Sequence, residues 1–183
     1  MTRAGFQKYV EPLIALFFIA SIGAMVHEVD WLENTLGGVR LFWIAFTVGG
    51  LLGMACATAF AWARHELLCG MSGPVLRSLV FIGGMTVALG LSSAAVASLL
   101  NRAYPGEAHA MTVKVDDKFY GRGQAQTPRL VIELDTGVKE QIHVDRPFWD
   151  GVTAGEKIEL TLHQGALGYD VMRTSPIHLT SKE

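Results

Sequence analysis

Three apolar segments constrain what this chain can fold into more than any other feature. Residues 41–63 and 79–100 each provide the ~20 apolar residues that a helix needs to cross a bilayer. The first segment, "PLIALFFIASIGAMV", has 15 residues and reaches that length only with the interfacial aromatic residues Tyr9 and Trp31. The sequence therefore predicts three transmembrane helices within residues 1–102.

The first apolar segment has an alternative interpretation as a cleaved signal peptide. Arg3 and Lys8 precede it, and small residues lie near Gly23 and Ala24, as in secretion signals. Pro12 suits the first turn of a retained helix. Cleavage would not change the orientation of the remaining chain.

Charged residues predict the orientation in the membrane. Arg3 and Lys8 flank the first segment, Arg64 and Arg77 bracket the second loop, and the first loop, "HEVDWLENTLGG", is acidic. Because basic loops remain in the cytoplasm, the N-terminus and the second loop are expected there and residues 103–183 across the membrane. In a bacterium, this is an inner-membrane protein with a periplasmic C-terminal domain.

Residues 103–183 change to a period of two, the pattern of β-strands. "MTVKV", "RLVIELD", "KEQIHVD" and "KIELTLH" alternate apolar and polar residues, and "DTG" and "HQG" are typical of hairpin turns. Five or six short strands in about 70 residues suit a small antiparallel β-barrel of SH3-like or OB-like type. We expect two domains, a three-helix transmembrane domain (1–102) and an extracytoplasmic β-barrel domain (103–183).

Small residues recur at every fourth position in two of the apolar segments. In lipid, they let helix backbones approach closely, which is what drives association there. The predicted helix-packing residues are Ala45, Gly49, Gly53, Ala57 and Ala61 in the second segment and Gly84, Ala88 and Ser92 in the third. The neighbouring helix belongs either to the same chain or to another copy or protein.

Several residues of the first half could take part in chemistry, and each of them also has a structural interpretation. His27, Glu28 and Asp30 are a candidate cation site or proton relay, or else the polar end of a helix in the headgroup region. His27 and His65 lie at opposite membrane faces and cannot share a haem iron. We therefore expect no cofactor. Cys56 is interpreted as an apolar filler, and Cys69 is a candidate acylation site.

The second half shows no catalytic motif. Asp116 and Asp117 are adjacent in a predicted strand and so point to opposite faces, and His143 and His163 are expected to face solvent. The sequence contains no Ser-His-Asp set, phosphate-binding glycine loop or zinc motif, so no catalytic or metal-binding residue is assigned. A candidate partner-binding face comprises Phe119, Tyr120, Arg122, Phe148 and Trp149. Its aromatic residues are alternatively core, with Phe148 and Trp149 closing one end of the barrel.

Charge and motifs together limit the function classes. Residues 103–183 contain nine Lys/Arg and twelve Asp/Glu, a balance that argues against nucleic acid as a partner. The favoured hypothesis is a non-enzymatic accessory, assembly or scaffold subunit in the bilayer. Its partners would be other membrane proteins or further copies, contacted through the small-residue face, edge strands or the 121–128 loop. The alternative is a membrane-anchored sensor whose barrel binds a peptide or small ligand, and a third possibility is an enzyme or ion-handling site at His27, Glu28 and Asp30.

Overall fold

The computed structural model describes residues 3–63, 74–121 and 127–172 as long helices followed by an antiparallel sheet. The helices are α1 (Arg3–Glu33), α2 (Gly38–Ala63) and α3 (Pro74–Ala103). The strands are β1 (Ala108–Tyr120), β2 (Pro128–Glu133), β3 (Lys139–His143), β4 (Lys157–Gln164) and β5 (Asp170–Met172), with a short helix α4 (Arg146–Gly151) between β3 and β4. His65, Cys69 and Arg122 lie outside the described residues.

Three helices are long and apolar enough to cross a membrane, as predicted: Pro12–Glu33, Gly38–Ala63 and Ser78–Ala103. Helix α3 begins at Pro74, where proline's fixed φ suits a first turn. The expectation for Pro12 is wrong, because α1 begins at Arg3 and Pro12 lies inside it. Proline removes one N–H from the helix ladder, a loss that apolar membrane helices tolerate.

The described residues divide into two compact units. The helical unit comprises residues 3–28, 41–63 and 74–97, and the sheet unit comprises residues 29–40, 98–121 and 127–172. The sheet unit thus includes the end of α1, the connection to α2 and the last turn of α3.

Helices α2 and α3 pack in the helical unit through the small residues of α2. A Cβ added to Gly53 would lie 2.7 Å from the carbonyl oxygen of Met85 and 3.0 Å from Cβ of Leu89. At Gly49, an added Cβ would overlap Ser93. Contacts that advance along α2 go back along α3, so the two helices are antiparallel. Within the row from Ala45 to Ala61, Gly49, Gly53 and Ala57 are buried, and at Gly49 and Gly53 the neighbouring helix belongs to the same chain.

Helix α1 contacts α3 through two serines. The hydroxyl oxygens of Ser21 and Ser92 are 2.9 Å apart, and the Ser21 hydroxyl donates to the carbonyl of Phe17. Ala88 of the same α3 row is buried, whereas a Cβ on Gly84 would meet nothing within 4 Å. Two of the three small residues predicted on α3 are therefore in contact within the chain.

The sheet has the order β3-β2-β1-β4-β5, and all of its pairs are antiparallel. Strand β1 pairs with β4 through its first half and with β2 through its second half, and a bulge at Asp116 interrupts the pairing with β2. The antiparallel sheet is confirmed, but the closed barrel is wrong. The sheet curls into a half-barrel whose edge strands β3 and β5 form no ladder with each other in the described residues.

Alternating apolar residues of the strands fill the concave core. The buried side chains include Val115, Leu130, Ile132, Ile142, Ile158, Leu160 and Leu162. The predicted "DTG" turn forms with Gly137 at φ +76°, whereas β4 continues through Gln164 and moves the second turn to residues 165–168. The stretch "RPFWDG" forms α4, capped by the Asp145 carboxylate, which accepts the N–H of Phe148.

Candidate functional site

The connection between α1 and α2 crosses the gap between the two edge strands of the sheet. The carbonyl of Asn34 accepts the N–H of Met172 at 2.8 Å, and the N–H of Leu36 donates to the carbonyl of Asp170 at 2.8 Å. These bonds attach the connection to β5. We call residues 34–37 the seam segment.

Side chains attach the seam segment to the opposite edge, β3. The Oδ1 atom of Asn34 accepts the N–H of His143 at 3.0 Å, and the N–H of Gly37 lies 2.9 Å from both carboxylate oxygens of Glu140. Next to the segment, Glu33 forms an ion pair of 2.8 Å with Arg129 on β2. The gap in the half-barrel is therefore bridged by residues from outside the predicted β-domain.

Local chemistry explains why these residues occupy the seam. Asn34 is buried, and it offers a main-chain and a side-chain acceptor to opposite strands. Gly37 has φ +74°, and a Cβ there would lie 3.2 Å from the ring of Tyr169. The Thr35 hydroxyl donates to the carbonyl of Trp31, which satisfies an acceptor at the end of α1.

The last turn of α3 is attached to the sheet through Asn101. Its side-chain amide donates to the carbonyl of Tyr169 at 3.0 Å, and its Oδ1 accepts the N–H of Leu167 at 3.0 Å. Its main-chain carbonyl accepts the N–H of Ala166 at 3.1 Å. Asn101 is only 1% exposed, so these bonds satisfy a polar group that would be costly to bury alone.

A second cluster joins α4 to the sheet around Trp149. The Lys118 ammonium lies 4.0 Å from the centre of the Trp149 ring and donates to the carbonyls of Trp149 and Val152, both at 2.7 Å. The ring of Tyr120 is 4.4 Å from that of Trp149, and the indole N–H of Trp149 donates to the carbonyl of Arg129. This cluster supports the fold, because the Lys118 ammonium and the Trp149 indole N–H both donate to main-chain carbonyls of the chain.

The candidate partner-binding residues are only partly brought together. Tyr120 and Trp149 are in contact, and Phe148 and Trp149 pack against the core. Phe119 precedes Tyr120 on β1, where neighbouring side chains alternate between faces. Of these residues, Tyr120 has the most exposed described side chain.

The carboxylates singled out from the second half have structural contacts. Asp116 pairs with Lys139 at 2.7 Å, and this hydrogen bond, together with the carboxylate charge, raises the pKa of Lys139 above its ordinary value. Asp117 accepts the main-chain N–H of Lys118. The two aspartates therefore serve different partners, and Asp145 caps α4.

The members of the acidic cluster of α1 differ in exposure. Glu28 is buried, whereas His27 and Asp30 are exposed. His143 and His163 are half-buried, not fully solvent-facing, because both lie on paired strands of the curled sheet. Within residues 3–63, 74–121 and 127–172, no three His, Cys, Asp or Glu side chains are arranged to hold a metal ion.

No known protein family matches this chain, and neither the curated proteins nor the solved structures contain a match to it. Function is therefore argued from the contacts of the chain itself. Those contacts depend on Asn34, Gly37, Asn101, Arg129 and Glu140, none of which was predicted from sequence as a site residue. One available signal was an asparagine in the last turn of an apolar helix, where a buried amide requires partners.

Proposed function

We propose that the protein is a non-enzymatic accessory, assembly or scaffold subunit of a larger membrane complex, with other membrane proteins as its partners. The observation that carries the proposal is the attachment of the half-barrel to helix ends at two separate places, the seam segment and Asn101. Such attachment suits a subunit that presents a rigid surface. The structural contacts of Asp116, Asp117 and Asp145 are consistent with a role that does not need them for catalysis.

We place the protein in a bacterial inner membrane, with a cytoplasmic N-terminus and a periplasmic sheet. Two tryptophans of α2 support the membrane part of this proposal. Trp43 and Trp62 are 58% and 87% exposed. They are 19 residues apart on one helix, which corresponds to about 29 Å, close to the ~30 Å hydrocarbon thickness of a bilayer. Exposed tryptophans at that spacing suit the two interfaces.

A partner helix has to use a surface that the chain leaves uncovered. Gly49 and Gly53 are packed against α3, and the seam segment covers parts of both sheet edges, so neither is a free docking surface. On α1, Gly23 is exposed, and an added Cβ would meet nothing within 4 Å. A leucine at this position therefore tests for a partner without disturbing contacts that the chain makes.

The test is purification in mild detergent followed by native mass spectrometry. A stoichiometric partner supports the proposal, and loss of that partner in Gly23→Leu but not in Gly83→Leu locates the contact on α1. Gly83 is the matched control, because it is also exposed with no neighbour within 4 Å. Recovery of the chain alone from its native membranes would contradict the proposal.

A sensor is the second candidate, and the hydrogen bonds between the sheet and the α1–α2 connection favour it. A ligand on β3 or β5 would act directly on the α1–α2 connection, because the seam segment bonds to both strands. A ligand that binds the folded state raises its melting temperature by mass action. A screen of peptides and small molecules that produces no such shift would count against this candidate.

A further inference from the structure

The tip of the β4–β5 hairpin, residues 165–168, lies at the depth of the last turn of α3. Leu167 and Ala166 donate their N–H groups to the side chain and the main-chain carbonyl of Asn101. Asn101 is two residues before the end of the candidate span Ser78–Ala103, about 3 Å along the helix axis. The hairpin tip therefore reaches the level at which α3 leaves the apolar layer.

Several exposed side chains at this level are apolar. Leu167 at the hairpin tip is 45% exposed, and Leu99 and Leu100 on the last turns of α3 are exposed to a similar degree. Tyr104, directly after α3, is also exposed. The interfacial layer of a bilayer is about 5–7 Å deep on each side of the hydrocarbon core, which is enough to include a side chain at this height. Leu167 therefore lies at about the same level as the exposed leucines at the end of α3.

The main-chain N–H groups of the tip have hydrogen-bond acceptors within the chain. Gly165 donates to the carbonyl of Tyr169 at 2.9 Å, and Gly168 donates to the carbonyl of Gly165 at 2.9 Å. Together with the two bonds to Asn101, they give every N–H group of residues 165–168 an acceptor within the chain. Satisfied donors lower the desolvation cost of bringing a segment to the membrane boundary.

We propose that the tip of the β4–β5 hairpin inserts Leu167 into the interfacial layer of the bilayer, so that the lipid surface is a direct contact partner of the sheet. This inference rests on the membrane location of α3 in the proposed function. The sheet would then contact lipid at the hairpin tip, in addition to its hydrogen bonds with the seam segment and with Asn101.

The experiment places an environment-sensitive fluorophore at Leu167→Cys in a Cys56→Ala, Cys69→Ala background, in full-length protein in phosphatidylcholine–phosphatidylglycerol nanodiscs. Ala154→Cys is the water-exposed control, because it precedes β4 and lies at the opposite end of that strand from the tip. Leu51→Cys, exposed near the middle of α2, reports on the membrane itself. Ala166→Cys is a second reporter at the tip in case the Leu167 variant fails to fold.

We expect blue-shifted emission at position 167 relative to position 154, quenching by headgroup nitroxide lipids, and weak quenching by iodide. Lipid quenching at position 51 combined with water-like behaviour at positions 167 and 166 overturns the insertion and leaves the membrane location intact. Absence of lipid quenching at position 51 overturns the membrane location itself, and the insertion with it.

Discussion

Asn34 accepts the main-chain N–H of His143 through its side-chain oxygen, at 3.0 Å. The same residue accepts the N–H of Met172 through its main-chain carbonyl, at 2.8 Å. One buried residue between α1 and α2 therefore connects β3 to β5, the two edges of the half-barrel. Edge strands left open are prone to pair with other chains, and this arrangement limits that exposure.

Replacing the Asn34 side chain tests the connection to β3. Asn34→Ala removes the acceptor of the His143 N–H and is expected to destabilise the protein by about 1–3 kcal/mol. Asn34→Asp retains the acceptor oxygen but buries a carboxylate, so its loss also contains the cost of desolvating that charge. Unfolding in detergent, followed by circular dichroism of the full chain, measures both variants. An unchanged stability of Asn34→Ala would show that the Oδ1 contact contributes little.

The seam segment also requires glycine at position 37. Gly37→Ala adds a Cβ at φ +74°, and this Cβ would lie 3.2 Å from the Tyr169 ring. The left-handed conformation alone costs an L-residue about 1–2 kcal/mol. Gly137→Ala is the matched control, because Gly137 has φ +76° with no neighbour within 4 Å. Greater destabilisation of Gly37→Ala than of Gly137→Ala isolates the packing against Tyr169, and equal effects would argue against it.

Helix packing within the chain predicts opposite results for two glycines. Gly53→Ala places a methyl group 2.7 Å from the carbonyl oxygen of Met85 and is expected to destabilise the helical unit by about 1–3 kcal/mol. Gly83→Ala meets nothing within 4 Å, so it is expected to be neutral or stabilising by up to ~1 kcal/mol through helix propensity. Thermal unfolding in micelles compares the two variants. A neutral Gly53→Ala would mean that α2 and α3 do not depend on close approach there.

The Asp116–Lys139 pair predicts a pH dependence at the alkaline end. Because the folded state raises the pKa of Lys139, the pair contributes its full stabilisation below the ordinary lysine value of 10.5. That contribution declines as the pH rises above this value and through the raised pKa. The stability difference between the wild type and Asp116→Asn should therefore be constant at neutral pH and shrink in strongly alkaline buffer. Denaturant titrations across that range measure it, and an unchanged difference would contradict the assigned pair.

Short-range patterns account for much of the fold. A run of twenty or more apolar residues predicts the lengths of α2 and α3, and the alternation of apolar and polar residues predicts β2 and β4. Both patterns depend only on residues that are neighbours in the chain. The boundaries were less accurate. β1 extends to Tyr120 past a bulge, because its pairing with β2 continues there, and residues 146–151 form α4, because the Asp145 side chain caps it.

The candidate site was not predictable in the same way. Asn34 and His143, which are joined by a hydrogen bond, are 109 positions apart, and Gly37 and Glu140 are 103 positions apart. No local pattern in "ENTLGG" specifies which strands its polar groups will meet. The small residues of α2 illustrate the same limit, since their spacing predicts a packing face without naming the helix that covers it.

Sequence alone determined the three membrane-length helices, the antiparallel strands and the close-packing face of α2, because each follows from side-chain periodicity along a continuous segment. Tertiary structure alone decided that α3 covers this face, that the barrel remains half open, and that Asn34 and Asn101 attach the sheet to helix ends. The physical reason is that a buried amide or an unpaired strand edge can be satisfied by any suitable donor or acceptor. The partner is therefore selected by the folded chain as a whole.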